Sequence, residues 1–437
     1  MKTARVITCF CMLIGVGSGV VASPAWAQVG SSAIVIQGAT VHTLAGDSIE
    51  SGVVVMQGGR ITAVGSNVSV PDGARVIDAQ GLHVYPGMFD AVSRLGLTEI
   101  GRVTVTSDMS ELGEFNPHLL AITAVHPASE IIPVTRAVGV THTVATPTGQ
   151  GGGIGGQGSL MHLDGWTVEE MVIEPSIDMV LNWPSLGGGR RGFGGGGRFR
   201  GPRRPFSEMK EQYDEQVREI ESWLEAARHY AQALEGGSAV RRDMKLEALG
   251  KVVSGELPFL VNANTERAIN DAIDFAERND VRIIIAGGRD AWKVRERLAD
   301  ENIPVILGAT QALPSGEDDA YDQAYANPGQ LYEAGVKFAF ATFNASNSRT
   351  LPFEAAMGVP YGLPLEAALR AVTINAAEIL GVDDRLGTIE NGKIANIIVT
   401  TGDPLNIQTE VRYVFIKGEM IDMQNKHRAL YEKYRKR

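Results

Sequence analysis

Cysteine is nearly absent from this chain of 437 residues: Cys9 and Cys11 are the only two, and both lie near its start. Everything after residue 27 is therefore without a thiol, which excludes disulfides, thiol catalysis and Cys-bound metals there. Basic charge is also short, 40 Lys and Arg against 51 Asp and Glu, for a net charge of −11. That balance argues against a general affinity for nucleic acid or anionic membrane and leaves small molecules or proteins as partners. Beyond the first residues no apolar run approaches the roughly 20 residues a membrane-spanning helix needs. Two motifs are missing as well. No G-x-G-x-x-G follows a first strand, and no G-x-S-x-G supplies a nucleophile elbow. What remains, 44% hydrophobic, 21% charged and 6% aromatic, is a globular composition, and excludes a disordered, collagen-like or repeat-only chain.

Residues 1–27 read as a signal peptide. Lys2 and Arg5 precede an apolar run from Val6 to Val21, and Ala25-Trp26-Ala27 has the small-x-small pattern of a cleavage site. No lipobox surrounds either cysteine. Cleavage after Ala27 leaves 38 basic and 51 acidic residues. The expected product is acidic, soluble, free of a membrane anchor, and periplasmic or secreted.

From Ala33 to Val84 short strands alternate with turns at Gly58-Gly59 and Asp72-Gly73, the pattern of a small antiparallel β module. A similar texture returns only near the other end, so one module built from both chain ends is expected. Between them the β-branched runs Gly139–Thr146, Leu257–Val261, Val281–Ala286 and Ile303–Leu307 alternate with helical patterns. Thr265 is placed to cap one helix, Asp290 another, and Ser207–Leu234 repeats apolar residues at 3–4 spacing. Strand and helix alternation over such a length predicts a (β/α) barrel with its site at the C-terminal strand ends, with a doubly wound sheet as the alternative. Residues 186–205, rich in Gly and Arg, break the rhythm and read as a mobile surface loop. RNA binding and contact with an acidic partner are the alternatives to a plain solvated insertion. Residues 423–437 form a basic tail.

Two segments carry a resemblance. Ala79-Gln80-Gly81-Leu82-His83-Val84-Tyr85-Pro86-Gly87-Met88-Phe89-Asp90-Ala91 resembles the entry to the barrel in the amidohydrolase superfamily. Thr373-Ile374-Asn375-Ala376-Ala377-Glu378-Ile379-Leu380-Gly381 and the following Leu386–Asn396 stretch resemble its exit. The similarity is to imidazolonepropionase-like and other exported amidohydrolases. It implies an α/β fold: a metal-dependent (β/α)8 TIM-like barrel over residues 86–384, with a composite β-sandwich from residues 31–85 and 385–422.

The same resemblance implies metal ligands that this sequence does not supply. The family's first barrel strand carries D-x-H-x-H, two imidazoles on one strand face. Here the stretch is Asp90-Ala91-Val92-Ser93-Arg94, so Val92 and Arg94 occupy the two His positions. Asn262 stands where the fifth strand offers His, Ala286 or Gly287 where the sixth does, and Asn344 where the catalytic Asp would follow the eighth. His118, His126, His142 and His162 show no i,i+2 or i,i+4 pairing from which another site could be built.

Arg94, Asn262, Asn344, Asn347 and Arg349 are therefore the ligand-binding candidates, a charge and amides suited to a carboxylate or phosphate. The competing reading has Arg94 pair with a barrel carboxylate such as Glu99. No cofactor is expected, although the family usually binds Zn or another divalent metal. The expected function is that of an exported hydrolase of non-peptide carbon–nitrogen bonds with little or no metal-dependent catalysis. The alternatives are a binding protein for a small, anionic or neutral molecule, and a non-catalytic subunit in a homo-oligomer or in assembly with an intact homologue.

Overall fold

The computed structural model describes residues 33–149, 152–186, 205–314, 316 and 318–437. Residues 1–27, expected to be a signal peptide, and the Gly/Arg-rich stretch 187–204 lie outside the described residues.

Alternating β-branched residues build the first sheet. Its N-terminal strands are β1 (Ile34–Val41), β2 (Ile49–Gln57), β3 (Arg60–Gly65), β4 (Arg75–Asp78) and β5 (His83–Pro86). Strand β1 bulges at Gly38, whose φ of +87° suits glycine. Before the bulge Ile34–Gln37 pair with β4; after it Thr40–Val41 pair with β5. The far end of the chain completes this layer: β14 (Ile397–Thr400) lies antiparallel between β5 and β15 (Val411–Ile416), and β16 (Glu419–Met420) forms the edge. Ile36, Val54, Met56, Ile61, Ile397, Val399 and Phe415 make one core from both chain ends.

The second sheet is a nearly closed eight-stranded barrel of β6 (Met88–Ser93), β7 (Val140–Ala145), β8 (Gly153–His162), β9 (Val172–Asn182), β10 (Phe259–Ala263), β11 (Ile283–Gly287), β12 (Val305–Leu307) and β13 (Phe338–Phe340). Its seam is bridged by Phe343 N to Val92 O at 2.9 Å and Arg94 N to Asn344 O at 3.2 Å. Period-2 alternation sorts the side chains. Leu260, Ile284, Ile306 and Ala339 point inward with Val92 and Val180, whereas Phe259, Ile283, Val305 and Phe338 pack outward against helices.

One strand departs from the expected pattern. Strand β8 runs antiparallel to both neighbours, while β6–β7 and β9 through β13 pair in parallel. Its glycines are poor strand formers, yet they are what let it pair. A Cβ on Gly153 would strike the carbonyl of Glu114, and one on Gly155 would lie 2.6 Å from Gly149 N.

The helix Phe206–Glu235 buries Tyr213, Ile220 and Leu224 along its apolar stripe, and Thr265 Oγ1 caps the helix Glu266–Asn279 by accepting from Ala268 N at 3.2 Å. Asp290 makes no cap. Its carboxylate accepts from Glu266 N at 3.3 Å instead, tying two successive helix starts together.

Candidate functional site

Parallel barrel strands deliver their last side chains to one rim, and functional chemistry gathers there. Registers set Ser93 beside Ala145, Ala145 beside Ser159 and Gly158 beside Asp178. Arg94, Thr146, Gly158 and Asp178 consequently fall in one row across four strands. Along that row Arg94 Nη1 donates to Thr146 O at 2.6 Å, and Gly158 N donates to Asp178 Oδ1 at 3.2 Å. Gly158 is needed there, because a Cβ would lie 2.6 Å from that same carboxylate oxygen. Asp90, four residues before Arg94 and deeper on β6, accepts from Thr342 N at 3.0 Å and Thr342 Oγ1 at 2.5 Å. Thr143 Oγ1 ties the wall together, 2.8 Å from both Asp90 O and Ser93 Oγ.

These are buried charges. Asp90 and Asp178 are fully buried, and Arg94 is mostly so. Burial pushes each carboxyl up to about 7, against the pull of its hydrogen bonds and of Arg94. Burial also lowers the guanidinium, to about 10, with Asp178 and then Asp90 opposing the shift. Arg94 thus keeps its charge at neutral pH, with two carboxyls poised to compensate it. No ion pair joins Arg94 to Glu99 among the described residues; Glu99 Oε1 is buried without a partner. The barrel carboxylates that answer Arg94 are Asp90 and Asp178.

The other candidates divide. Asn344 and Asn347 are exposed and serve a turn: Asn344 Oδ1 accepts from Asn347 N at 3.0 Å, and Asn347 O from Thr350 N at 2.7 Å. Arg349 Nη1 donates to Ser346 O in the same turn. Backbone contact through Asn344 O brings this turn to Arg94. Asn262 stands apart from it, at the end of β10. Its Nδ2 donates to Asn182 Oδ1 at 2.9 Å, and it lines a cleft of about 410 Å³ with Trp183, Tyr213, Asn264, Arg267 and Asp271.

One pairing was invisible in sequence spacing. His142 on β7 and His162 on β8 meet in antiparallel register, with Asn396 Nδ2 3.4 and 3.2 Å from their Nδ1 atoms. Burial lowers both imidazoles, His162 to about 3, with His162 and Lys417 respectively adding to the effect on each. Only the recognition of β8 as a strand could have revealed it. The pair sits at the opposite end of the barrel, where Gly87 N meets Asn396 O at the start of β6.

A divalent metal does not fit this donor set. The positions the resemblance assigns to ligands hold Val92, Arg94, Asn262, Ala286 and Gly287, and Arg94 sets a positive charge there. Among the described residues no three His, Cys, Asp or Glu side chains gather where they could share a metal ion.

The architecture and the two ends of the chain have counterparts among known proteins. The amidohydrolase family profile matches residues 293–421. Over 402 residues the chain is 27% identical to the amidohydrolase tasK of Hapsidospora irregularis, covering 84% of this chain and 39% of that protein. It is 32% identical over 117 residues to the imidazolonepropionase of Caldanaerobacter subterraneus, covering 25% of this chain and 28% of that one. The chain belongs to the amidohydrolase superfamily. A solved amidohydrolase from Thermotoga maritima shares the fold, with a TM-score of 0.75 and 24% identity over 90% of this chain and all of that one. The chain thus spans well under half the length of the curated relatives it matches. Within the superfamily the metal-binding strand end is where this sequence departs.

Proposed function

We propose that this amidohydrolase superfamily member is exported to the periplasm or beyond, descends from hydrolases of non-peptide carbon–nitrogen bonds, and acts as a binding protein with little or no metal-dependent hydrolysis. The observation that carries the reading is Arg94, held in the row with Thr146 and Asp178 at the end of β6. A guanidinium at that place supplies one fixed positive charge and repels a dication. Without a resident metal, water stays near its ordinary pKa of about 15.7 and is a poor nucleophile, whereas a bound metal brings it to about 7. The leader of residues 1–27 supports export.

The test is an assay of the mature protein against cyclic amides and N-acyl dipeptides, with and without added Zn²⁺ or Mn²⁺. No metal-stimulated turnover is expected. Hydrolysis that appears on adding metal and disappears on chelation would overturn the reading.

A second reading, a non-catalytic subunit beside an intact homologue, is favoured by one observation. The match covers only 39% of the Hapsidospora irregularis relative, so there the equivalent region is joined to a longer chain. Exposed Val105 and Leu112, on the segment after β6, give apolar surface for such a contact. Co-expression with a homologue carrying D-x-H-x-H, followed by size-exclusion chromatography, distinguishes a complex from separate chains.

A further inference from the structure

The cleft beside β10 offers a recognition site distinct from the Arg94 row. At its back Trp183 Nε1 donates to Tyr213 Oη at 2.9 Å, and Tyr213 Oη donates to Asp271 Oδ2 at 2.5 Å. Asp271 Oδ2 also accepts from Arg267 Nε at 3.3 Å, and the guanidinium lies 5.7 Å from the Tyr213 ring centroid. This relay fixes the Arg267 head through Nε and leaves the two Nη nitrogens unbonded among the described residues. Half of the Arg267 side chain is open to solvent. An oriented guanidinium with a free fork is the group that takes a carboxylate in two parallel hydrogen bonds.

The other wall of the cleft carries amides. Asn262 donates through Nδ2 to Asn182, which leaves its Oδ1 without a hydrogen-bond donor among the described residues, and exposed Asn264 follows two residues on. A cleft of about 410 Å³ falls in the range of small-molecule sites.

We propose that this cleft binds a small organic acid that also bears an N–H donor, its carboxylate on Arg267 and its N–H on Asn262 Oδ1. The proposal rests on the binding-protein reading and names the ligand chemistry for it. Asp271 limits the gain, since it already answers part of the Arg267 charge; the free fork and the second anchor at Asn262 are what select such a ligand over a bare anion.

Titration calorimetry on the mature protein, with N-acetyl-L-leucine and its primary amide as probes, tests it. The acid is expected to bind at least tenfold more tightly than the amide. Arg267→Met should erase that preference, Arg267→Lys should keep part of it, and Asn262→Ala should weaken both probes. Equal affinity for the two probes, no binding of either, or an acid preference that survives Arg267→Met in folded protein overturns the site. None of these outcomes bears on metal-stimulated hydrolysis, which tests the binding-protein reading separately.

Discussion

At the scale of single residues Arg94 sets the charge of the barrel end. Its cation faces two buried carboxyls, and removing one member of such a group leaves charge buried without compensation, at a cost of about 3–5 kcal/mol. Two carboxyls with values near 7 can instead take up protons at about 1.4 kcal/mol each at pH 8, so Arg94→Met is expected to destabilise the protein by at most about 3 kcal/mol there, and by much less at pH 5, where both already hold protons. Denaturant unfolding at the two pH values checks this, and an equal loss at both would contradict the role of Arg94 as counter-ion. Arg94 was legible in the sequence because a motif frames it. Asp178 was not, since no motif marks it and only the stagger of four strands brings it to Arg94.

Protonation gives a second residue-level test. Asp90 and Asp178 have folded values near 7, above the unfolded carboxyl value, so their contribution is full below about pH 4 and is lost as pH rises through 7. His162 has a folded value near 3, below the unfolded 6.5, so its contribution is full above pH 6.5 and is lost as pH falls toward 3. Between pH 4 and 6.5 the slopes oppose, each at most about 1.4 kcal/mol per pH unit per group. His162→Gln should therefore tilt stability toward acid relative to wild type. Unfolding midpoints at pH 4.5, 5.5 and 6.5 measure the tilt, and parallel profiles for the two proteins would refute it.

Among elements, β8 is the one that propensity hides. Glycine is a poor strand former, and four of the six residues Gly153–Gly158 are glycine. The strand exists because neighbouring backbone and the Asp178 carboxylate approach too closely for any Cβ, a demand made by tertiary contact and absent from local pattern. Gly158→Ala should cost about 1–3 kcal/mol through that overlap. Gly250→Ala, in the helix Met244–Val253 with nothing within 4 Å of the added Cβ, should instead stabilise by roughly 0.5–1 kcal/mol. Thermal melts of the pair report both signs. By contrast, β10, β11 and β12 were legible from their β-branched runs, and the helix Phe206–Glu235 from its apolar stripe, because burial on a fixed period writes itself into sequence.

For the whole molecule, the joining of both chain ends in one sheet sets what can be removed. Ile397, Ile398, Val399, Val414 and Phe415 are fully buried, so truncation before β14 would expose that core and the edge of β5. The helix Lys426–Tyr434 buries no residue. Deleting residues 426–437 should leave the melting temperature within about 2 °C, whereas deletion from residue 397 should abolish cooperative unfolding, as calorimetry can show.

The same fold makes a metal-binding strand end possible, and in this chain the Arg94, Asp90 and Asp178 row stands in its place. Elemental analysis of the purified protein after dialysis is the sharpest test of that replacement. Well under one equivalent of Zn, Mn or Fe per chain is expected; about one equivalent that survives dialysis in wild type would contradict the replacement.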